Sequence, residues 1–498
     1  MVALGDSPGG RPQAPEARSG LEPWNKTELP PPPRPKGLAW MGVVGPGVIV
    51  LGASIGSGEF LLGPAAFVQY GLTLLWVTLV AAFLQTVLNT ELMRWTIATG
   101  EPIFTGFMRT RPKATFWAWF YAGLYFLQVG WPGWAGAAAG AVFFLFFKEL
   151  AGPEQANIVY WIGVGTFGLC VAILMFGKRI ERTLEILNWI LVAAIISSFL
   201  ILALIFVEPD TWVAGAAGLV GYDPAGGTFR FIPSGADFFL IGAFAAYSGA
   251  GGVINLTLSN WARDKGYGMG GEVGYIAAAV GGEKVELAHT GFTFDTTPEA
   301  MERWKGWWRI VRADQWGVYF IGALLGMVLP AVLYVSFIPA GTDIRGLSVA
   351  AALADAMTGR AGALFGGAVA MMAVWVLFKT QLDIVDGMTR AITDILWTGS
   401  DTVRRWRGGD VRVVYYSVLA AVTVWGVIAL RLAQPIVLLQ LGANMAGIVF
   451  VVSSLHVLYI NTTLLPEAIR PPMWRRVALV AMSIFYGAFV TLWLRGLF

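Results

Sequence analysis

Gly45-Pro-Gly-Val-Ile-Val-Leu-Gly-Ala-Ser-Ile-Gly-Ser-Gly-Glu59-Phe-Leu-Leu-Gly-Pro64 is the stretch on which the fold turns. It opens as an apolar helix of the kind that crosses a bilayer. Gly52, Gly56, Gly58, Gly63 and Pro64 then weaken that helix in its middle. Such a break frees backbone carbonyl and N–H groups. In hydrocarbon those groups need partners, so irregular backbone survives only where protein, water or a bound solute meets it. Glu59 lies inside the weakened region. A carboxylate at that depth is costly, which marks it as functional by default.

Working outward, the same pattern returns at Phe244-Ala-Ala-Tyr247-Ser248-Gly249-Ala250-Gly251-Gly252-Val-Ile-Asn255. This stretch is also glycine-rich at the midpoint of an apolar segment, with hydroxyls and an amide nearby. It is no dinucleotide fingerprint: Ile254 stands where the third glycine would fall, and no strand precedes it. The two breaks lie five spans apart. An odd separation gives the two halves opposite orientation in the membrane. Interrupted helices at matching places in inverted halves point to a central binding site, where half-helix ends present dipoles and bare carbonyls.

The rest of the chain fits a membrane setting. Of 498 residues, 56% are hydrophobic and 13% charged, about half the usual charge of a soluble domain. The apolar residues come in blocks of about twenty, the length that spans a bilayer as a helix. Eleven spans are expected, near 38–69, 71–94, 116–147, 157–176, 187–207, 235–258, 315–338, 361–380, 412–430, 435–459 and 474–496. The short apolar stretch 346–358 is expected to be a surface or re-entrant helix. With the N-terminus inside, only Lys148, Arg230, Arg345, Arg360, Arg431 and Arg495 of the 34 basic residues fall outside. That bias supports an odd count, a cytoplasmic N-terminus and an external C-terminus, in the inner or plasma membrane. Residues 1–36 are Pro-, Gly- and charge-rich and are expected to form a disordered cytoplasmic tail. Residues 37–498 form the membrane domain: one repeat over about 38–207, a second over about 235–459, and an extra helix over about 474–496. The cytoplasmic insertion 259–312 ends in an amphipathic segment, 301–315. It carries Trp304, Trp307, Trp308 and Val311 on one face and is expected to lie on the anionic leaflet, the alternative being a helix packed on the bundle.

One cysteine, Cys170, and two histidines leave no disulfide framework and no His/Cys zinc site. No nucleophile–base arrangement or phosphate loop points to an enzyme. No cofactor beyond a transported metal cation is expected, and no nucleic-acid partner. Lys379, Asp383, Asp386 and Arg390 follow one another at spacings that put them on one helix face. They read either as a solvated salt-bridge stripe or as a gate or proton relay. Gln85, Asn89, Glu91 and Arg94 end the second span, the last two at ion-pair spacing. Asn444 sits in mid-span of the tenth segment, either lining the pathway or bonding across helices. His456 reads as a satisfied structural side chain.

Several of these pieces resemble the NRAMP family of divalent-metal transporters. They are Gly45-Pro-Gly47, the Gly-Ser-Gly-Glu at 56–59, Gln69-Tyr-Gly71 with Leu74-Leu-Trp76, and Ala98-Thr-Gly100. Asp386-Gly387 resembles a family Glu-Gly. The likeness is clearest over 45–100. It implies an all-α polytopic membrane protein of the LeuT type: a five-plus-five inverted repeat with broken first and sixth helices, plus an eleventh. This chain also departs from the family. The family's Asp-Pro-Gly-Asn aligns with Gly56-Ser57-Gly58-Glu59, and its Met-Pro-His-Asn aligns near Tyr247–Gly252, which offers neither sulfur nor imidazole. The resemblance is therefore to a divergent branch.

Together these readings give a secondary transporter working by alternating access. Carboxylate, hydroxyl and carbonyl donors favour hard cations over soft ones, so a hard divalent ion such as Mg²⁺ is the expected substrate. Glu59 would be its charged ligand or a proton-coupled carboxylate. Gly56, Ser57, Gly58, Tyr247, Ser248, Gly249, Gly251, Asn255 and Asn444 would complete the site, with Lys379, Asp383 and Asp386 as gate or relay. The alternative is an amino acid or small organic solute in the same cavity, for which the small residues at 249–252 leave room.

Overall fold

The computed structural model describes residues 20–56, 58–176, 180–277, 287–347 and 349–496. Ser57, residues 1–19 and part of the insertion, 278–286, lie outside the described residues. Among the described residues ten helices are long and apolar enough to cross a membrane. The sixth span is absent from that number because it is broken into Phe238–Ala246 and Val253–Asp264. The first span is broken as well, into Pro46–Ser54 and Gly63–Tyr70 with a π-turn at Gly58–Leu62 between them. The chain is thus an all-α polytopic membrane protein. Each of its two sets of five spans opens with an interrupted helix, and an eleventh helix, Met473–Arg495, follows.

The third span differs from its expectation as a single helix over 116–147. Gly130-Trp131-Pro132 splits it into Ala114–Val129 and Gly133–Phe147. Pro132 lacks an N–H and cannot continue the helix hydrogen-bond ladder. The groups so released find side chains: Trp425 Nε1 donates to the Gly130 carbonyl at 2.7 Å, and the Ala135 N–H donates to Gln381 Oε1 at 3.1 Å. The Ala- and Gly-rich second half lies against the eighth span, Ala363–Gly399. Small side chains let two backbones approach where no hydrophobic effect drives helices together.

Two expectations about the basic face are corrected. The segment 301–315 does not lie on a leaflet. Pro298–Arg312 runs through a π-turn, Ala313–Phe320, straight into Ile321–Phe337 as one long seventh helix. Trp304, Trp307 and Val311 are buried in protein. The cover comes from the N-terminal segment, and this is the second correction. Residues 20–36 are not a free tail. Asn25–Lys26 pair in parallel with Phe292–Thr293, and Leu29 is buried. Trp24 Nε1 donates to Glu101 Oε1 at 3.0 Å, and Trp307 Nε1 donates to the Pro30 carbonyl at 2.8 Å. The apolar faces that would have sought lipid are satisfied by each other.

The stretch 346–358 behaves as expected of a non-spanning element. A turn at Val349–Ala351 leads into a short helix, Ala352–Ala361, packed on the eighth span.

Candidate functional site

The helix Pro46–Ser54 ends where its carbonyls are taken by side chains of the eighth span. The Lys379 ammonium donates to the Gly52 carbonyl. Thr380 Oγ1 lies 3.2 Å from the same oxygen and 3.1 Å from the carbonyl of Ile55. One turn on, Glu59 is fully buried. Its Oε1 accepts from Ser54 Oγ at 2.5 Å, and its Oε2 accepts from the Gly56 N–H at 3.5 Å. The carboxylate therefore folds back on its own break. Charge-assisted bonds of this kind are roughly twice as strong as neutral ones, and they hold the interrupted backbone in one shape.

The sixth-span break is built from other materials. Gly249, Gly251 and Gly252 all have positive φ, at 129°, 84° and 49°, a region that costs glycine nothing. The freed groups meet neutral side chains. Gln128 spans the gap, accepting from the Val253 N–H at 2.8 Å and donating to the Gly251 carbonyl at 2.9 Å. The Ala250 N–H donates to Tyr319 Oη at 3.2 Å, and Tyr319 in turn donates to Gln85 Oε1 at 2.9 Å. Gln85 Nε2 donates to Tyr486 Oη at 2.9 Å and reaches the Ser248 carbonyl at 3.3 Å. The two broken spans pack on one another; at Gly58 a Cβ would stand 1.6 Å from the Tyr247 carbonyl oxygen.

Of the expected site residues, Gly58 packs on Tyr247, while Gly56 lies against Thr380, Glu59 bonds Ser54 and Gly56, and Gly249 lies against Gln85 and Tyr319; Ser57 lies outside the described residues. Other expected members are placed elsewhere. The Ser248 hydroxyl turns back to the Phe244 carbonyl at 2.9 Å. Asn255 donates to Asn89 Oδ1 at 2.9 Å, one turn beyond the break. Asn444 holds the Phe239 carbonyl at 2.9 Å, near the far start of the same span, so it bonds across helices rather than lining the centre.

The Lys379–Arg390 face divides in two. Lys379 and Asp383 belong to the first break, where Asp383 Oδ1 accepts from Asn188 Nδ2 at 2.8 Å. Asp386 belongs to a separate set. It pairs with Arg390 at 2.9 Å and accepts from Tyr415 Oη at 2.7 Å and from Trp261 Nε1 at 2.9 Å. Arg390 also bonds Asp264, and Arg263 reaches both Asp264 and Asp394 at 2.6 Å. All of these side chains are buried, so the face is not a solvated stripe. Beside this set, the Gly45 N–H donates to Asp314 Oδ1 at 2.9 Å, Tyr267 Oη donates to the Val43 carbonyl at 2.6 Å, and Lys265 pairs with Glu185. These bonds close the basic face beneath the breaks. Glu91 and Arg94 do pair, at 2.7 Å, but buried and with Arg475 as a third member. His456 is satisfied by Thr110 at 2.9 Å and Tyr121 at 3.1 Å.

No family model matches the chain. The divalent metal cation transporter MntH of Yersinia enterocolitica is 26% identical over 197 residues, covering 39% of this chain and 46% of that protein. MntH of Yersinia pestis is 27% identical over 194 residues, covering 39% and 45%. A mutant of the manganese transporter of Eremococcus coleocola superposes over 94% of this chain and 89% of its own, with a TM-score of 0.58 and 15% identity. The same transporter in complex with an aromatic bis-isothiourea-substituted compound covers 96% and 92%, with a TM-score of 0.56 and 14% identity. The chain is NRAMP-related. The match spans about half the length of the curated relatives, and the solved structures are alike in fold.

Within this NRAMP-related chain the sequence missed the side chains that mend the breaks, Gln128, Tyr319 and Thr380, together with the true place of Gln85 and the bond of Asn188 to Asp383. A signal existed for some of them. Gln85 and Gln128 are amides set in long apolar runs, where a polar group needs a partner. Thr380 gave none, because threonine is common within membrane helices, where its hydroxyl usually satisfies its own backbone.

Proposed function

We propose that the chain is a secondary transporter, not an enzyme, that moves a hard divalent metal cation such as Mg²⁺ across the inner or plasma membrane. It works by alternating access around the two breaks, with the basic face towards the cytoplasm. The observation that carries this reading is Glu59: a carboxylate buried completely at the break of one interrupted helix, next to Gly58, which packs on Tyr247 of a second interrupted helix. The polar groups gathered there are carboxylate, hydroxyl, amide and carbonyl, the donor set of hard cations. Among the described residues no group of three or more His, Cys, Asp or Glu could enclose a metal ion. Backbone carbonyls, amides and retained water would therefore supply most of the shell, as suits an ion that keeps several of its waters. The names of the curated relatives, divalent metal cation transporters, support the substrate class.

The test is uptake of Mg²⁺, Mn²⁺ and Ca²⁺ into proteoliposomes carrying the purified protein, with Glu59→Gln beside it. Uptake that falls to the level of empty liposomes in the variant is the expected result. Folded protein that passes none of the three ions overturns the reading in favour of an organic solute in the same cavity.

A further inference from the structure

Glu91, near the basic end of the second span, Leu75–Thr99, is outnumbered by arginines. Its carboxylate takes Arg94 at 2.7 Å and Arg475 of the eleventh helix at 3.1 Å. The two guanidiniums share a second partner, the Trp308 ring of the seventh helix. Arg94 stands 4.2 Å and Arg475 5.0 Å from its centroid. One turn on from Trp308, on the same face, Arg312 is exposed, and its charge acts on Arg475 through space. Three arginines thus gather round one indole, and Glu91 is the one carboxylate in ion-pair reach of them among the described residues. The bonds of Arg475 run through Nη1 alone, to Thr90 and Glu91, so the rest of its fork is free. Like charges crowded where the dielectric is falling repel one another, and an anion would relieve them. The place is also a groove. The second span packs on both the π-turn Ala313–Phe320 and the eleventh helix, and so forms a floor between them. At its basic end stands the half-exposed Trp474, its ring 4.5 Å from the Arg475 guanidinium. Indoles favour the level of lipid headgroups. About 16 Å deeper, three turns back on the Arg94 side of the second span, Phe83 is exposed and packs on Trp316 at 5.7 Å.

We propose that this groove holds one anionic phospholipid, its headgroup phosphate on Arg475 and Arg312 beside Trp308 and an acyl chain over Phe83 and Trp316. A guanidinium fork grips phosphate oxygens two at a time, and basic pockets between spans take anionic headgroups. The seventh helix still does not lie on the leaflet. Residues 20–36 cover its Trp307, and a single lipid meets the neighbouring face, that of Trp308 and Arg312. The site joins the second, seventh and eleventh helices from outside the bundle, and it is independent of what the centre carries.

The experiment is native mass spectrometry of the purified full chain, titrated with phosphatidylglycerol or with the zwitterionic phosphatidylcholine. Arg312→Gln, Arg312→Glu and Arg405→Gln are measured beside it. Arg312 and Arg405 are both exposed, and Arg405 follows the eighth span, away from the groove. All three variants keep Glu91, Arg94 and Arg475, so the buried cluster is untouched. Phosphatidylglycerol should bind at least about tenfold more tightly than phosphatidylcholine. Arg312→Gln should weaken phosphatidylglycerol about fivefold and leave phosphatidylcholine unchanged. Arg312→Glu should weaken it further, and Arg405→Gln should change nothing. Equal affinity for the two lipids overturns the proposal. So does an equal loss in Arg312→Gln and Arg405→Gln, which would mean attraction to the basic face as a whole. Displacement of phosphatidylglycerol by inorganic phosphate at the same concentration overturns it in favour of a free anion.

Discussion

The two broken helices solve one problem with opposite chemistry. At the first break the loose backbone is held by charged groups: Lys379 on Gly52, and Glu59 against Ser54 and Gly56. At the sixth it is held by neutral ones, Gln128, Gln85 and Tyr319. Neutral amides satisfy carbonyl and N–H alike and leave no field behind. Charged groups satisfy the backbone and also create a potential that a cation can feel. Under the proposed transport reading, the first break would discriminate by charge and the sixth would supply rigidity.

The largest effect should come from the point where the breaks meet. Gly58→Ala places a methyl on the Tyr247 carbonyl and so forces the two breaks apart. Cation uptake in proteoliposomes should vanish, and a Gly58→Ala protein with ordinary uptake would mean the breaks act independently. Next comes Gln128→Leu, which orphans the Gly251 carbonyl and the Val253 N–H. Each buried unpaired group costs about 1–3 kcal/mol, to be read as a lowered melting temperature in detergent. Because the site's charge is untouched, Glu59-dependent uptake should persist in whatever fraction folds.

Thr380→Val is the matching change at the charged break. It removes one hydroxyl from the Gly52 and Ile55 carbonyls, while Lys379 still covers Gly52. A loss of about 1 kcal/mol is expected. A loss as large as that of Gln128→Leu would show that the lysine does not hold the first break.

The smallest effect lies outside the membrane, where Arg345 links Asp343 to Asp237, the residue that caps Phe238–Ala246. The bond from Arg345 holds the Asp343 carboxyl below the usual aspartate range. A depressed folded value adds stability above the unfolded value of about 3.9 that is lost as pH falls through the folded one. Arg345→Gln should cost less than about 1 kcal/mol, as exposed pairs do. Melting curves should show the cost near neutrality, shrinking as pH falls below about 4.

The breaks and their glycines were legible because glycine and proline announce themselves in an apolar run. So was the parity of the spans, since every basic loop voted on it. What was not legible is who repairs each break. Lys379 and Asp386 share a helix face in the sequence, yet the first bonds Gly52 of the first span and the second bonds Trp261 and Tyr415 of two other spans. Helical spacing fixes which side chains point the same way, not what each one meets along nearly forty residues of helix. Asn444 shows the same limit: mid-span polarity left open whether it lined the pathway or bonded across helices, and its partner is the Phe239 carbonyl. The tryptophan-rich segment 301–315 misled for a related reason. An apolar face looks the same whether lipid or residues 20–36 cover it.

That covering strand-like segment has a mechanical consequence. It is stitched to Glu101 by Trp24, to the stretch after the insertion by Asn25–Lys26, and to the seventh helix by Arg303 and Trp307. It then runs directly into the first span. A swing of that span away from the face must drag this lanyard or peel it off stitch by stitch. Trimming residues 20–36 should therefore quicken the swing more than it alters what the centre holds.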